Sequence, residues 1–204
     1  MGTGAGVGKK PGRRQKARFR TLAWPHVASL LRLAGHLCPD QHAAEDLVQE
    51  TMIKALSNID RFNEGTDARA WLMTILRRTH IDLYRAGRKR EADVSLDAIG
   101  DAAQDDASPG TYDQQWTHPQ QLMERFEDQV VIDALKQLPE AIRWTLLLTD
   151  VEQLEHTAAA EILDVPVGTI KSRAHRGRTM LRDRLFQVAQ QRGWVQDSGA
   201  ASDG

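Results

Sequence analysis

The stretch Leu154–Leu185, LEHTAAAEILDVPVGTIKSRAHRGRTMLRDRL, constrains this chain more than any other. An Ala-rich segment from roughly Thr157 to Leu163 and a basic segment after Pro166 read as two helices joined by a tight turn. Asp164 is expected at the end of the first helix, where a left-handed residue is common and Asp tolerates it. Val165 then docks inward, and Pro166 disfavours helical geometry at Val165 and opens the next helix with its φ already set. In that helix Ile170, Ala174, Gly177 and Leu181 recur at i, i+4, i+7 and i+11 and form an inward stripe. Lys171, Ser172, His175, Arg176, Arg178 and Thr179 fall off the stripe and supply donors that phosphate oxygens and guanine edges accept. This is the outline of a helix-turn-helix. Spacing alone also fits a solvated basic helix on an ordinary bundle.

The chain's 204 residues are rich in Ala, Leu and Arg and poor in aromatics, which points to an all-α fold. Two apolar-periodic blocks separated by a polar gap favour two small helical domains joined by an acidic flexible linker. The expected divisions are a disordered basic tail over 1–22, a first domain over 23–90, a linker over 91–118, a second domain over 119–190 and a loose tail over 191–204. No apolar run approaches the roughly 18–20 residues that span a bilayer, and the Gly-rich, basic N-terminus lacks the apolar centre of a secretory signal. Cytoplasmic localisation without membrane insertion is expected. A lone Cys38 excludes an internal disulfide. The spacing His36-x-Cys38-x-x-x-His42 offers three ligands where a structural zinc site normally needs four, and it also reads as a helix end with a turn, so no metal or other cofactor is expected.

The formal net charge of −1 conceals segregation. Basic residues collect over Lys9–Arg20, Arg77–Arg90 and Lys171–Arg184, and acidic ones over Glu91–Asp113 and Glu124–Asp128. Such a pattern suits a polyanion engaged at several separate points.

In chain order, Pro25 suits the first residue of a helix whose apolar stripe is Val27, Leu30, Leu31, Ala34 and Leu37. Asp40 caps a second helix to about Ile59, with Ala44, Leu47, Val48, Thr51, Ala55 and Ile59 inward. On its outer face Asp46, Gln49 and Glu50 lie at i, i+3 and i+4 beside Met52 and Ile53, an acidic and amide patch edged by apolar groups that suits docking on a basic protein surface. After the loop Arg61–Thr66, Asp67 or Thr66 caps a third helix, Ala68 to about Arg85. Trp71, Leu72, Ile75, Leu76, Thr79 and Leu83 make its apolar face, and Arg77, His80 and Tyr84, then Arg78, Asp82 and Arg85, make polar stripes that continue into Arg88, Lys89 and Arg90. A helical pattern resumes near Pro119 with Leu122, Phe126, Val130 or Val131, Ala134 and Leu138. Pro139 then opens a helix in which Ile142, Leu146 and Leu147 face inward.

Two sets of motifs carry a family resemblance. Ala44-Glu45-Asp46-Leu47-Val48-Gln49-Glu50, Ala70-Trp71-Leu72 and Ile81-Asp82 resemble region 2 of bacterial extracytoplasmic-function (ECF) sigma factors. Leu138-Pro139-Glu140, Leu146-Leu147-Leu148, Asp150-Val151-Glu152 and Val165-Pro166-Val167-Gly168-Thr169-Ile170-Lys171-Ser172-Arg173 resemble their region 4. The resemblance covers about 24–90 and 120–186, and region 4 alone also resembles the helix-turn-helix of response-regulator activators. It implies a non-enzymatic subunit that binds core RNA polymerase and promoter DNA, with an anti-sigma factor as a further partner. Asp46, Leu47, Gln49, Glu50 and Ile53 would dock on the β′ clamp helices. Phe62, Asn63, Thr66 and Trp71 would hold a base flipped from the −10 element, and Arg77, Arg78, His80, Arg85 and Arg88 would clamp the adjoining DNA. Capture of the unstacked base offsets the few kcal/mol needed to extrude it. Thr169, Lys171, Ser172, Arg173, His175, Arg176 and Arg178 would enter the −35 major groove, while Leu146–Val151 helps the second domain sit on the β flap.

The chain departs from the family pattern at several places. Thr79 stands where many relatives have Asn, a departure that bears on base preference. His156-Thr157-Ala158-Ala159 replaces Tyr-Glu-Glu-Ile, and Glu155 replaces a Ser or Thr cap, which moves the cap to Thr157 and starts that helix two residues late. Asp164 replaces Gly and Gly177 replaces Ala, each weakening the scaffold by up to about 1 kcal/mol. The competing function is a stand-alone helix-turn-helix regulator whose first half dimerises or senses. For an enzyme, the sequence offers no supported nucleophile-base pair, phosphate loop or carboxylate dyad.

Overall fold

Helix boundaries in this chain follow from a few residues that open or close backbone ladders. The computed structural model describes residues 12–92 and 128–195, and these are helical apart from turns and one isolated bridge between Glu64 and Thr66. The first half holds α1 (Arg13–Ala23), a 3₁₀ turn (Trp24–His26), α2 (Val27–Leu37), α3 (Gln41–Ser57), a second 3₁₀ turn (Ile59–Arg61) and α4 (Ala68–Ala92). Asp40 caps α3 by accepting from the Ala43 amide at 2.8 Å. Of the two candidate caps for α4, Asp67 fills the role, taking the Arg69 amide at 2.8 Å, while the Thr66 hydroxyl donates back to the Asn63 carbonyl at 2.8 Å. Pro25 is the second residue of the 3₁₀ turn Trp24–His26 and not the first of α2, which begins two residues later at Val27.

The second half holds α5 (Asp128–Lys136), α6 (Glu140–Leu146), a π-helical turn (Leu147–Val151), α7 (His156–Leu163) and α8 (Val167–Gln191). Pro139 opens α6 as expected. The linker assigned to 91–118, from residue 93 on, and the helical start at Pro119, Leu122 and Phe126 lie outside the described residues.

Three expectations are corrected. The basic tail is helical from Arg13, because Ala23 is fully buried and Phe19 packs beside it on the shared core; two apolar residues are too few to show as a period. Leu83, placed on the inner face of α4, is 48% exposed, because α4 continues past the body it packs against. The start of α7 is not delayed to Thr157: Glu155 has the extended backbone a flanking residue needs, its carbonyl accepts from Ala159 at 3.0 Å, and no side chain caps the helix.

The two halves share one apolar cluster. Leu30, Leu33, Leu47, Leu72 and Leu76 of the first join Leu146, Leu147, Leu148, Ile162 and Ile170 of the second, with α4 against α7 and α2 against α5. Within the second half, α6 crosses α8 at Gly177, where a Cβ would meet Ile142 Cγ2 at 2.7 Å and Leu146 Cδ1 at 3.0 Å. Gly177 is therefore required by close approach, and its lower helix propensity is the lesser effect. Gly177→Val is expected to lower stability by about 1–3 kcal/mol through overpacking. Urea denaturation checks this, and a midpoint unchanged from wild type would show that the two helices have room to part.

Candidate nucleic-acid interface

The turn between α7 and α8 is built as its sequence implies. Asp164 adopts φ 53° and ψ 51°, and the Val165 amide bonds to the Ala160 carbonyl at 3.1 Å, the long bond of a Schellman turn. Val165 packs against the core and Pro166 precedes the first turn of α8. With Ile170, Ala174 and Gly177 buried, α8 is held by one face, and Lys171, Ser172, His175, Arg176 and Arg178 are exposed on the other, with Thr169 and Arg173 half-buried at its edge.

Arg178 has a second task. Its Nε and Nη2 each donate to the Asp150 carboxylate at 2.8 Å, a bidentate pair that ties α8 to the π-helical turn. Burial works to raise the Asp150 pKa, but hydrogen bonds from Arg178 and Thr149 outweigh it and hold the carboxyl below its ordinary range. The segment Leu146–Val151 departs from its expected role as a docking face: Leu146, Leu147 and Leu148 are buried in the core together with Trp144 and Thr145 before them, five consecutive residues enclosed on all sides, and Val151 alone of the apolar members is exposed.

On α3 the expected patch divides. Asp46, Gln49 and Ile53 are exposed, Ile53 by 60%, and Glu50 is half-buried with Lys54 3.9 Å away. Leu47 is 1% exposed and belongs to the core, so it cannot lie on a docking face; Ala44 three residues before it and Thr51 four residues after it are buried on the same inward stripe. His42 approaches Asp46 at 3.8 Å, whereas Cys38 is buried, its thiol pushed up by burial, and no three His, Cys, Asp or Glu side chains among the described residues lie within reach of one ion.

The loop before α4 places Asn63 and Thr66 outward, tied by the Thr66 amide and hydroxyl to the Asn63 carbonyl at 3.1 and 2.8 Å, with Gly65 at φ 113°. Phe62 points the other way. It is 5% exposed and stacks at a tilt on half-buried Trp71, ring centroids 5.2 Å apart, so these two rings form the floor beneath the loop. Along α4, Arg78 and Arg85 are exposed, and Arg88 lies in its last turns with its side chain outside the described residues. Thr79 is buried and bonds to the Ile75 carbonyl at 2.9 Å, a position from which it reads nothing outside the helix.

Arg77 and His80 are covered by the second half. Arg77 Nη1 donates to the Ile162 carbonyl at 3.3 Å, and the His80 ring meets Trp144 edge-on at 5.7 Å with Glu140 3.5 Å away. Burial lowers the His80 pKa, with Glu140 opposing it only in part. Beside them lies the contact that sequence reasoning missed. The Glu152 side chain is fully buried, and its carboxylate takes Arg69 on one oxygen and Arg32 Nε at 3.3 Å on the other, while Arg69 also donates to the Glu152 carbonyl at 2.6 Å. The partners lie 83 and 120 residues away, and nothing local to Asp150-Val151-Glu152 announces them.

Comparison with known proteins agrees with this architecture. Residues 25–90 match the family model of sigma-70 region 2 and residues 128–181 that of sigma-70 region 4. The chain is 39% identical over 162 residues to the ECF RNA polymerase sigma factor EcfG of Rhodopseudomonas palustris, covering 78% of this chain and 81% of that one. It is 30% identical over 157 residues to SigW of Bacillus subtilis, covering 76% and 82%. The structure of the sigma factor RpoE in complex with the anti-sigma factor NepR from Bartonella quintana superposes with a TM-score of 0.63 at 31% identity, covering 82% of this chain and 96% of that one. The chain belongs to the ECF family of RNA polymerase sigma factors. Among the described residues no helix is long and apolar enough to cross a membrane.

A buried carboxylate stripped of its main partner is costly. Arg69→Ala is expected to destabilise the protein by about 3–5 kcal/mol, leaving Glu152 with Arg32 only. A loss under about 1 kcal/mol, the range of an exposed pair, would show that Glu152 is not held between the two halves.

Proposed function

We propose that this chain directs core RNA polymerase to specific promoters and starts transcription there, with its residues divided among three contacts. Asp46, Gln49, Glu50 and Ile53 dock on the β′ clamp helices. Asn63 and Thr66, over the Phe62–Trp71 floor, receive the flipped base of the −10 element, and Arg77, Arg78, His80, Arg85 and Arg88 line the adjoining strand. Thr169, Lys171, Ser172, Arg173, His175 and Arg176 enter the −35 major groove, with Arg178 chiefly bracing α8. Residues 23–90 and 119–190 are the two working units. An anti-sigma partner belongs to the same reading, since the Bartonella relative was solved with one.

The observation that carries this reading is the coexistence of two chemically different exposed faces, an acidic and amide face edged by Ile53 on α3 and a cationic face on α8. Duplex binding alone uses only the second, and the first suits docking on a basic protein surface. The packing adds a requirement: Arg77 and His80 reach DNA only after α6 and α7 withdraw from α4, so promoter opening on this reading needs the halves to separate.

Purified chain with core polymerase is expected to yield run-off transcripts from a matched promoter. Asp46→Lys with Gln49→Ala is expected to weaken core binding without unfolding the chain, since both side chains are exposed. Arg176→Ala is expected to cost roughly 1–3 kcal/mol at one −35 position. Tight, sequence-specific duplex binding by the chain alone, with core polymerase adding nothing, would favour the stand-alone regulator instead.

A further inference from the structure

The N-terminal helix reaches the loop that carries Asn63 and Thr66 through one side chain. Phe19 and Ala23 anchor α1 on the shared core, and from the same helix Arg18 extends across the second 3₁₀ turn. Its Nη1 donates to the Ile59 carbonyl at 3.1 Å and its Nη2 to the Phe62 carbonyl at 2.9 Å. The guanidinium carbon lies 5.9 Å from the Phe62 ring centroid, and Nη2 is 3.3 Å from the Glu64 carboxylate. Gln15, one turn earlier on α1, donates to Asp60. One planar cation thus holds the entry to the loop, the aromatic floor beneath it and the acid at its tip.

We infer that Arg18 is a positioning residue for capture of the flipped −10 base: it fixes the backbone at Ile59 and Phe62, so that Asn63 and Thr66 are presented in one arrangement before DNA arrives. This rests on the reading of that loop as the base-capture site. Arginine is suited to the task because its fork spans two carbonyl acceptors at a set spacing, which a lysine ammonium, a single point of charge, does not reproduce. Arg18 has only 27% of its side chain exposed, against 84% for Glu64, so it serves the loop from beneath it. A preorganised loop pays less ordering entropy when the base docks, and the gain appears in the DNA step and not in assembly with polymerase.

The test uses holoenzyme and a fork-junction DNA with an unpaired non-template −10 strand, taken from a promoter that the wild-type holoenzyme transcribes. Affinity is measured at several salt concentrations for Arg18→Gln, Arg18→Lys and Asn63→Ala, together with affinity for core polymerase. Both Arg18 variants are expected to bind the fork roughly tenfold more weakly, about the worth of one stacked base. Core affinity and the slope of log Kd against log salt are expected to stay at wild-type values. Wild-type fork binding by Arg18→Lys would overturn the inference, since charge alone would then suffice. A salt slope reduced by about one would also overturn it, by showing a direct phosphate contact. If Asn63→Ala weakens fork binding and Arg18→Gln does not, the loop's role stands and the positioning role falls. If Asn63→Ala has no effect, the base-capture reading itself fails.

Discussion

Removing a carboxylate from water is costly unless cationic donors meet it, and Glu152 is met by arginines from the other half of the molecule. Arg69 sits at the start of α4 and Arg32 on α2, so one acidic side chain binds the segment after the π-helical turn to two helices of the first unit. With that contact made, α7 lies along α4 and α5 against α2, and the apolar clusters of the two units become one. The charge pair sets where the halves meet, and the leucines around it supply most of the attraction.

This arrangement treats the proposed working surfaces unequally. The α3 face and the outer face of α8 are open to solvent, whereas Arg77 and His80 on α4 are occupied by α6 and α7. On the proposed reading, polymerase docking, −35 recognition and the Asn63–Thr66 loop are available to the closed chain, and the part of the −10 contact that uses Arg77 and His80 is not. Contacts with polymerase would then offset the loss of the Glu152 contacts when the halves part. Such a sequence keeps Arg77 from meeting phosphate before assembly, and non-specific affinity falls with each cation so withheld.

Local chemistry was the legible part of the sequence. The turn at Asp164, the cap at Asp40, the opening of α6 at Pro139 and the buried stripe of α8 all rest on neighbours within a few residues, and the structure shows each of them. Periodicity placed Leu47, Leu146 and Leu147 inward, as the structure has them, whereas the resemblance associated their segments, and Phe62, with partners; a motif marks a segment and not the direction of each side chain in it. Gly177 looked like a weakened helix and is a close crossing, which is visible only once Ile142 and Leu146 lie opposite. Arg18 and Glu152 act over separations of 41 to 120 residues, and no periodicity encodes a partner at that distance.

On the proposed reading the two units are latched together in the free chain and separate on core polymerase. Fluorescent labels at Ala28→Cys on α2 and Gln187→Cys on α8, both exposed positions, in a Cys38→Ala background, report their separation directly. The account predicts a single short separation in the free protein and a longer one once core polymerase is bound. Unchanged energy transfer in a holoenzyme that still opens its promoter would contradict it.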